Sequence, residues 1–174
     1  MRDYLFLLLG ATLMFLSACA GVPLPPEARK QAQALLDSGN PSEAAAYIDK
    51  VGGDDLGLHL LRAEAAFRAG DLAGAKERYS AIVESARDPD VADFARRNLA
   101  IVQLRDEADA PAAYATLNQL TAKAKRDAAV QRDLGVAAVA AGRLDLARKH
   151  FARLSEAQRQ QIDQVLGPDF LNDR

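Results

Sequence analysis

The order of apolar and polar residues from Glu27 onward predicts a series of helices. Apolar residues recur at spacings of three and four, and no stretch alternates apolar and polar residues for long. A glycine followed by a polar residue interrupts this pattern at Gly39-Asn40, Gly70-Asp71 and Gly142-Arg143. Each pair follows one periodic segment and precedes another, which predicts a helix, a tight turn and a second helix at each place.

The three glycines are followed by the same order of residue sizes. An alanine comes five residues later, a bulky residue nine later and an apolar residue twelve later. These residues are Ala44, Ile48 and Val51 after the first glycine, Ala75, Tyr79 and Ile82 after the second, and Ala147, Phe151 and Leu154 after the third. Self-similarity at a period of a few tens of residues indicates a helical array whose units are stabilised by stacking.

This spacing resembles the tetratricopeptide repeat, a helix–turn–helix unit of about 34 residues. The resemblance is closest at 128–161 and nearly as close at 56–89. A degenerate unit at about 92–126 lacks the turn glycine, and a first unit at about 25–53 begins in a proline-rich stretch. The resemblance implies an all-α fold, a right-handed α-solenoid of about four such repeats with a C-terminal capping helix.

Local signals agree with this arrangement at several helix ends. Asn40 followed by Pro41 predicts an N-cap and a first helical residue, and Asp54-Asp55 predicts another helix start. Ser155 with Gln158 matches a capping box before the predicted capping helix, which Gly167-Pro168 ends. An apolar stripe on that helix is predicted to face the array; its residues are Ile162, Val165 and Leu166.

The first residues read as a secretion signal. The apolar run at 4–16 would span roughly 18–20 Å as a helix, which is too short for the about 30 Å core of a bilayer. The following Leu16-Ser17-Ala18-Cys19 resembles the lipobox of bacterial lipoprotein precursors. One irregularity is Asp3, which cancels the charge of Arg2. The alternative is that Cys19, the only cysteine, is a buried thiol in an uncleaved helix.

The lipobox resemblance implies cleavage before Cys19 and a covalent lipid on that residue. Ala20 in place of an aspartate then implies sorting to the bacterial outer membrane, facing the periplasm. The predicted division of the chain is a signal peptide at 1–18, the lipidated cysteine with a proline-rich tether at 19–26, a repeat domain at 27–167 and a tail at 168–174.

Charge and candidate chemistry exclude several function classes. The net charge of −2 lacks the dense basic face that nucleic acids require, and the cluster of Lys123, Lys125 and Arg126 reads as a solvated helix end. His59 and His150 are far apart and have no paired metal-ligand spacing. We find no phosphate-binding loop and no catalytic constellation, so the sequence predicts neither an enzyme nor a cofactor besides the covalent lipid.

The repeat resemblance implies that the first helix of each unit lines a concave, protein-binding groove. The residues at these positions are Leu60, Glu64, Phe67 and Arg68 in the second unit, Phe94, Arg97, Ile101, Leu104 and Arg105 in the third, and Arg132, Val136 and Val139 in the fourth. Apolar residues mixed with arginines suit an amphipathic helix or an extended segment that bears acids. The alternative is that the apolar members, above all Leu104 and Val136, belong to the core.

A terminal-carboxylate clamp is not expected, because Glu64 and Ile101 stand where the asparagine pair of clamping repeats would be. The expected function is a lipid-anchored scaffold or adaptor at the outer membrane that binds another protein. Its combination of features resembles the lipoproteins of Tad-type pilus assembly and the pilotins. The alternatives are an accessory subunit of a cell-wall or lipid-processing enzyme, or an enzyme with an unrecognised site. The oligomeric state stays open.

Overall fold

The computed structural model describes residues 25–53, 55–106, 109–167 and 170–171. Within these ranges the ordered elements are helical. They are α1 (Pro26–Asp37), α2 (Pro41–Val51), α3 (Leu56–Arg68), α4 (Leu72–Ser85), α5 (Pro89–Leu104), α6 (Ala110–Asn118), a 3₁₀ turn (Ala124–Arg126), α7 (Ala128–Ala140), α8 (Leu144–Phe151) and α9 (Glu156–Leu166). The predicted signal peptide, Cys19, most of the tether and most of the tail lie outside the described residues.

The three glycine turns have the predicted left-handed backbone, with φ of 79° at Gly39, 83° at Gly70 and 70° at Gly142. This conformation is strained for residues that carry a Cβ. After each glycine, the next backbone N–H reaches back to a carbonyl five residues earlier; Asp71 N donates to Ala66 O at 2.9 Å. The turns therefore close the same helix end in three units.

Successive helices from α1 to α8 pack against each other, and α1 also packs on α3 and α5 on α7. The first helices of neighbouring units run in the same direction. Arg29 at the start of α1 bonds Asp55 at the start of α3 at 3.0 Å, and Asp37 and Arg68 pair at the other ends at 3.7 Å. This stacking of hairpins confirms the predicted helical-repeat solenoid.

Small residues let the paired helices approach closely, as the sequence predicts. Ala63, Ala75 and Ala147 are completely buried. Gly135 on α7 faces the buried ring of Phe151 on α8, and a Cβ built on Gly135 would lie only 2.2 Å from Phe151 Cε1. The apolar side chains form three successive clusters, around α1–α3, α3–α5 and α5–α8. Each cluster joins neighbouring units, which is how a solenoid is stabilised.

The third unit differs from its predicted bounds of about 92–126. Its first helix begins at Pro89, where Asp88 caps it by accepting a hydrogen bond from Asp90 N at 2.8 Å. Its second helix ends at Asn118, so the 3₁₀ turn belongs to the connection to α7. The cluster of Lys123, Lys125 and Arg126, which the sequence predicts at a helix end, lies at this 3₁₀ turn.

A buried carboxylate that the sequence did not single out fixes this connection. Asp93 on α5 is 6% exposed. It accepts hydrogen bonds from Thr121 N at 3.2 Å and from Thr121 Oγ1 at 2.6 Å, and Arg96 lies 3.4 Å away. Burying a carboxylate without partners costs free energy, so these bonds compensate for the burial of Asp93. They also hold Thr121 against the first turns of α5.

The described helix ends agree with the predictions at two places and correct them at two. Ser155 and Gln158 form the predicted capping box, and Asp55 caps α3 by accepting from Leu58 N. Asn40 precedes α2 but makes no capping bond, and its Nδ2 group donates to Ser38 Oγ. α1 begins at Pro26, and proline is favoured at the first position of a helix. The last residue that the sequence assigned to the tether therefore belongs to α1.

The capping helix α9 is attached less tightly than its apolar stripe predicts. Ile162 packs partly against the α5–α8 cluster. Val165, however, is 81% exposed, and α9 has no buried residue. Phe170 covers part of the array instead, with its ring 6.2 Å from that of Phe151. The prediction that the whole stripe faces the array was wrong for Val165. Sequence periodicity identifies the apolar face of a helix, but it does not show how far along the helix that face stays in contact with the array.

Candidate functional site

The predicted groove residues lie on the first helices of three units, and none of them is fully buried. The exposed members are Arg68, Phe94, Arg105, Arg132 and Val136, and the half-buried members are Leu60, Glu64, Phe67, Arg97, Ile101, Leu104 and Val139. Spacings of three, four and seven place the members from one helix on one side of it. Leu104 and Val139 also pack on the α5–α8 cluster, whereas Val136 is 44% exposed and is no core residue.

A cavity of about 280 Å³ lies where α1, α3 and α5 meet, and we call it the upper cavity. It brings together three predicted residues, Leu60, Glu64 and Phe94. The other lining residues are Arg29, Gln33, Gly57, Leu61, Tyr79 and Asn98. Phe94 is 54% exposed, and it is the one exposed aromatic residue in the described part of the chain. An exposed ring beside a cavity suits an apolar ligand group.

Tyr79 reaches this cavity from α4 and is 3% exposed. Burial, together with the charge of Glu64 and against the opposing charge of Arg68, raises the pKa of Tyr79 to about 12. The phenol therefore stays neutral at physiological pH and contributes shape and a hydroxyl group rather than charge.

A second cavity, of about 490 Å³, lies near the ends of α3 and α5, and we call it the lower cavity. It brings together the predicted residues Phe67, Arg68 and Arg105, with Gly70 and Leu72. The Arg105 guanidinium lies 5.8 Å from the centre of the Phe67 ring, within the range of a cation–π contact. The aromatic ring and the cation together form a surface for a negatively charged group.

Ion pairs within the chain divide the groove arginines into two kinds. Arg68 bonds Glu64 at 2.6 Å and the carbonyl of Leu36 at 2.7 Å. Arg97 bonds Asp133 on α7 at 2.6 Å, and Arg132 lies 3.6 Å from the same carboxylate. Within the described chain, no carboxylate lies within 4 Å of Arg105. Arg97 therefore contributes to the packing of α5 on α7, which the sequence alone did not indicate.

Six predicted residues line neither of these two cavities. They are Arg97, Ile101, Leu104, Arg132, Val136 and Val139. Conversely, the upper cavity includes Arg29 and Gln33 of α1, which were not predicted because the first unit begins in the tether. A usable signal exists: a shift of 31 residues aligns Arg29 with Leu60 and Gln33 with Glu64, as it aligns Ala32 with Ala63.

The two histidines are both half-buried. His150 on α8 bonds Gln131 through Nδ1 at 3.0 Å and Tyr114 through Nε2 at 3.2 Å. Gln131 donates its amide N–H to Lys125 O, so its oxygen faces the ring and His150 Nδ1 is the donor. Burial lowers the pKa of His150, and the charges of Arg153 and Lys125 lower it further.

Comparison with protein families gives one match to this arrangement. The tetratricopeptide-repeat family model matches residues 35–97. The matched stretch runs from the end of α1 through α4 and into α5, and so includes both glycine turns that precede α2 and α4. Together with the stacked hairpins, the match supports a tetratricopeptide-repeat protein. Comparisons with curated proteins and with solved structures find no match.

Tetratricopeptide repeats generally bind protein partners, so the repeat match indicates a protein–protein interaction scaffold. The two cavities lie on the helices that present the groove in such arrays. In the part of the chain that the structure describes, no helix is long and apolar enough to cross a membrane. The residues of the predicted lipid anchor, including Cys19, are outside that part.

Proposed function

We propose that this chain is a lipid-anchored scaffold, facing the periplasm, that binds a segment of another protein in the groove formed by α1, α3 and α5. The observation that carries the binding proposal is Phe94, a half-exposed aromatic ring beside the upper cavity. An anchor residue of this kind, next to a pocket and with polar groups around it, is typical of the centre of a protein interface.

A quantitative pulldown from the source cell tests the binding proposal. Phe94→Asp should reduce recovery of the bound partner at least about tenfold, because a charge replaces a central aromatic anchor. Ala81→Asp is the matched control. Ala81 is exposed on α4, two positions and about 200° from the cavity residue Tyr79. Equal recovery by both variants would contradict binding in this groove.

The anchor proposal is supported by the apolar run at 4–16 and by the lipobox that ends at Cys19. Lipid chains contribute about 0.8 kcal/mol per buried methylene, and two or more chains make membrane attachment stable. Replacing Cys19 with serine should move the protein from the membrane fraction to the soluble fraction and leave its helical circular dichroism unchanged. A serine variant that still sediments with outer membranes would refute the anchor.

Within this proposal the partner belongs to pilus or secretion-system assembly. The support is the combination of a lipobox with helical repeats, which resembles the lipoproteins of such assemblies. Deleting the gene should reduce assembled pili or secretin multimers, and the wild-type chain should restore them while the Phe94→Asp variant should not. Normal assembly after deletion would contradict the role in pilus or secretion-system assembly. The proposal that the groove binds a protein partner would still stand.

The chain is proposed to act by binding and not by catalysis. In both cavities the charged side chains other than Arg105 have partners within the chain, and Tyr79 is a neutral phenol. A hydrolase screen on the purified protein should find no turnover above background. Turnover that disappears on a single substitution in either cavity would overturn this part of the proposal.

A further inference from the structure

The first helices do not all pack equally closely, and the two cavities lie where α3 and α5 are neighbours. α1 packs on α3 and α5 packs on α7, whereas α3 and α5 approach each other less closely. In the gap between α3 and α5, Tyr79 of α4 lines the upper cavity. The upper and lower cavities both lie along this gap, between residues of α3 and residues of α5. A ligand segment that runs along α5 would therefore meet both cavities.

The upper cavity suits an uncharged, bulky side chain. Its walls include Leu60 and the exposed ring of Phe94, and the charges around it are paired within the chain, Arg29 with Asp55 and Glu64 with Arg68. Its volume of about 280 Å³ exceeds that of an engineered protein cavity that binds benzene, about 150 Å³. A leucine or phenylalanine side chain therefore fits without displacing an ion pair.

Two side-chain amides at this cavity favour an extended ligand backbone. Gln33 donates its Nε2 group to Asp37 at 3.0 Å, and Asn98 donates its Nδ2 group to Phe94 O at 2.8 Å. Among the described residues, no hydrogen bond to the amide oxygen of either residue is seen, so each oxygen can accept one from a ligand. An extended segment has backbone N–H groups to donate, whereas a helix has already used nearly all of its own.

The lower cavity suits a carboxylate. Arg68 is already bonded to Glu64, but Arg105 is exposed, lies over Phe67, and has no carboxylate within 4 Å in the described chain. A guanidinium held flat on a ring keeps its N–H edge open for two parallel hydrogen bonds to a carboxylate. The ligand group that fits the lower cavity is therefore an acidic side chain.

The distance between the two cavities sets the spacing on the ligand. Phe94 and Arg105 are eleven residues apart along α5 and its C-cap, which corresponds to about 16 Å. An extended chain covers that distance in about five residues. Resting on the proposed function, we infer that the groove binds an extended protein segment with a bulky apolar residue and an acidic residue about five positions apart.

Fluorescence anisotropy with the purified full chain and labelled twelve-residue peptides tests this inference. Each peptide has a glycine–serine background with one leucine and one glutamate, separated by two, five or eight positions. The five-position peptide should bind most tightly, and replacing its glutamate with lysine or its leucine with serine should weaken binding about tenfold or more. Equal affinity at all three spacings, or no binding by any peptide, would overturn the inference.

Two charge reversals complete the test. Arg105→Glu should weaken the five-position peptide about tenfold, and the exposed Arg87→Glu should leave its affinity within about twofold. An Arg105→Glu variant that binds as well as the wild type would also overturn the inference. If the peptides fail while Phe94→Asp still abolishes partner recovery, the inferred ligand chemistry is wrong and the proposed groove function stands.

Discussion

At the scale of single residues, one missing side chain sets how closely α7 and α8 pack. Gly135 leaves the space that the Phe151 ring occupies, and the ring is fully buried. The sequence indicated this pair through its repeat spacing. The partners of His150 and Asp93 could not be read in the same way, because they come from elements 19 to 36 residues away in sequence.

Gly135→Ala should lower the free energy of unfolding by about 1–3 kcal/mol, because the added methyl group overlaps the Phe151 ring. The loss should occur although alanine is the better helix former by about 1 kcal/mol. Urea denaturation measures the change. The double variant with Phe151→Leu should recover part of it, and a Gly135→Ala protein as stable as the wild type would disprove the tight contact.

The contribution of His150 to stability should depend on pH. Its pKa in the folded chain is lowered from the usual 6.5, mainly by burial and further by Arg153 and Lys125. The unfolded chain therefore binds a proton more readily than the folded chain. Stability from the neutral ring is present above about pH 6.5 and is lost as the pH falls from there through the lowered pKa.

Unfolding free energies of the wild type and of His150→Gln, measured from pH 8 to pH 5, check this prediction. The groups that act on the ring are Tyr114, Gln131 and Lys125, with Arg153 just beyond the end of α8. The advantage of the wild type over the variant should shrink as the pH falls. A difference that is constant or grows toward pH 5 would contradict the lowered pKa.

At the scale of elements, the sequence predicts the helices whose ends carry local signals. Gly39, Gly70 and Gly142 mark the turns because the left-handed backbone there selects glycine. The connection between α6 and α7 has no such marker. Its shape depends on the long-range bond from Thr121 to Asp93, which the spacing of apolar residues does not show.

Asp93→Ala should therefore loosen the α6–α7 connection. The variant should lose about 1.5–3 kcal/mol of unfolding free energy, since Thr121 N–H and Oγ1 lose a charged acceptor. Hydrogen exchange should speed up at 119–127. Asp90→Ala is the matched control, because it removes an exposed pair with Lys123 and should change stability much less. Equal effects of the two variants would refute the role of Asp93.

At the scale of the whole molecule, the proposed groove follows the two cavities that α3 and α5 line. The repeat resemblance predicted which helices line it, but not that Arg97 would be paired with Asp133 or that the gap would fall between α3 and α5. Those features depend on side chains from different units. Fold class could thus be predicted from local spacing, whereas the character of the groove depends on the assembled array.

The measurement that tests the central claim most directly is site-specific photo-cross-linking in intact cells. A benzophenone amino acid replaces Phe94 in the upper cavity or Ala81 on the far side of α4, both of which are exposed. Binding in the groove predicts a discrete cross-linked product from position 94 and none from position 81. Products of equal yield from both positions, or a product from position 81 alone, would contradict a partner-binding groove between α3 and α5.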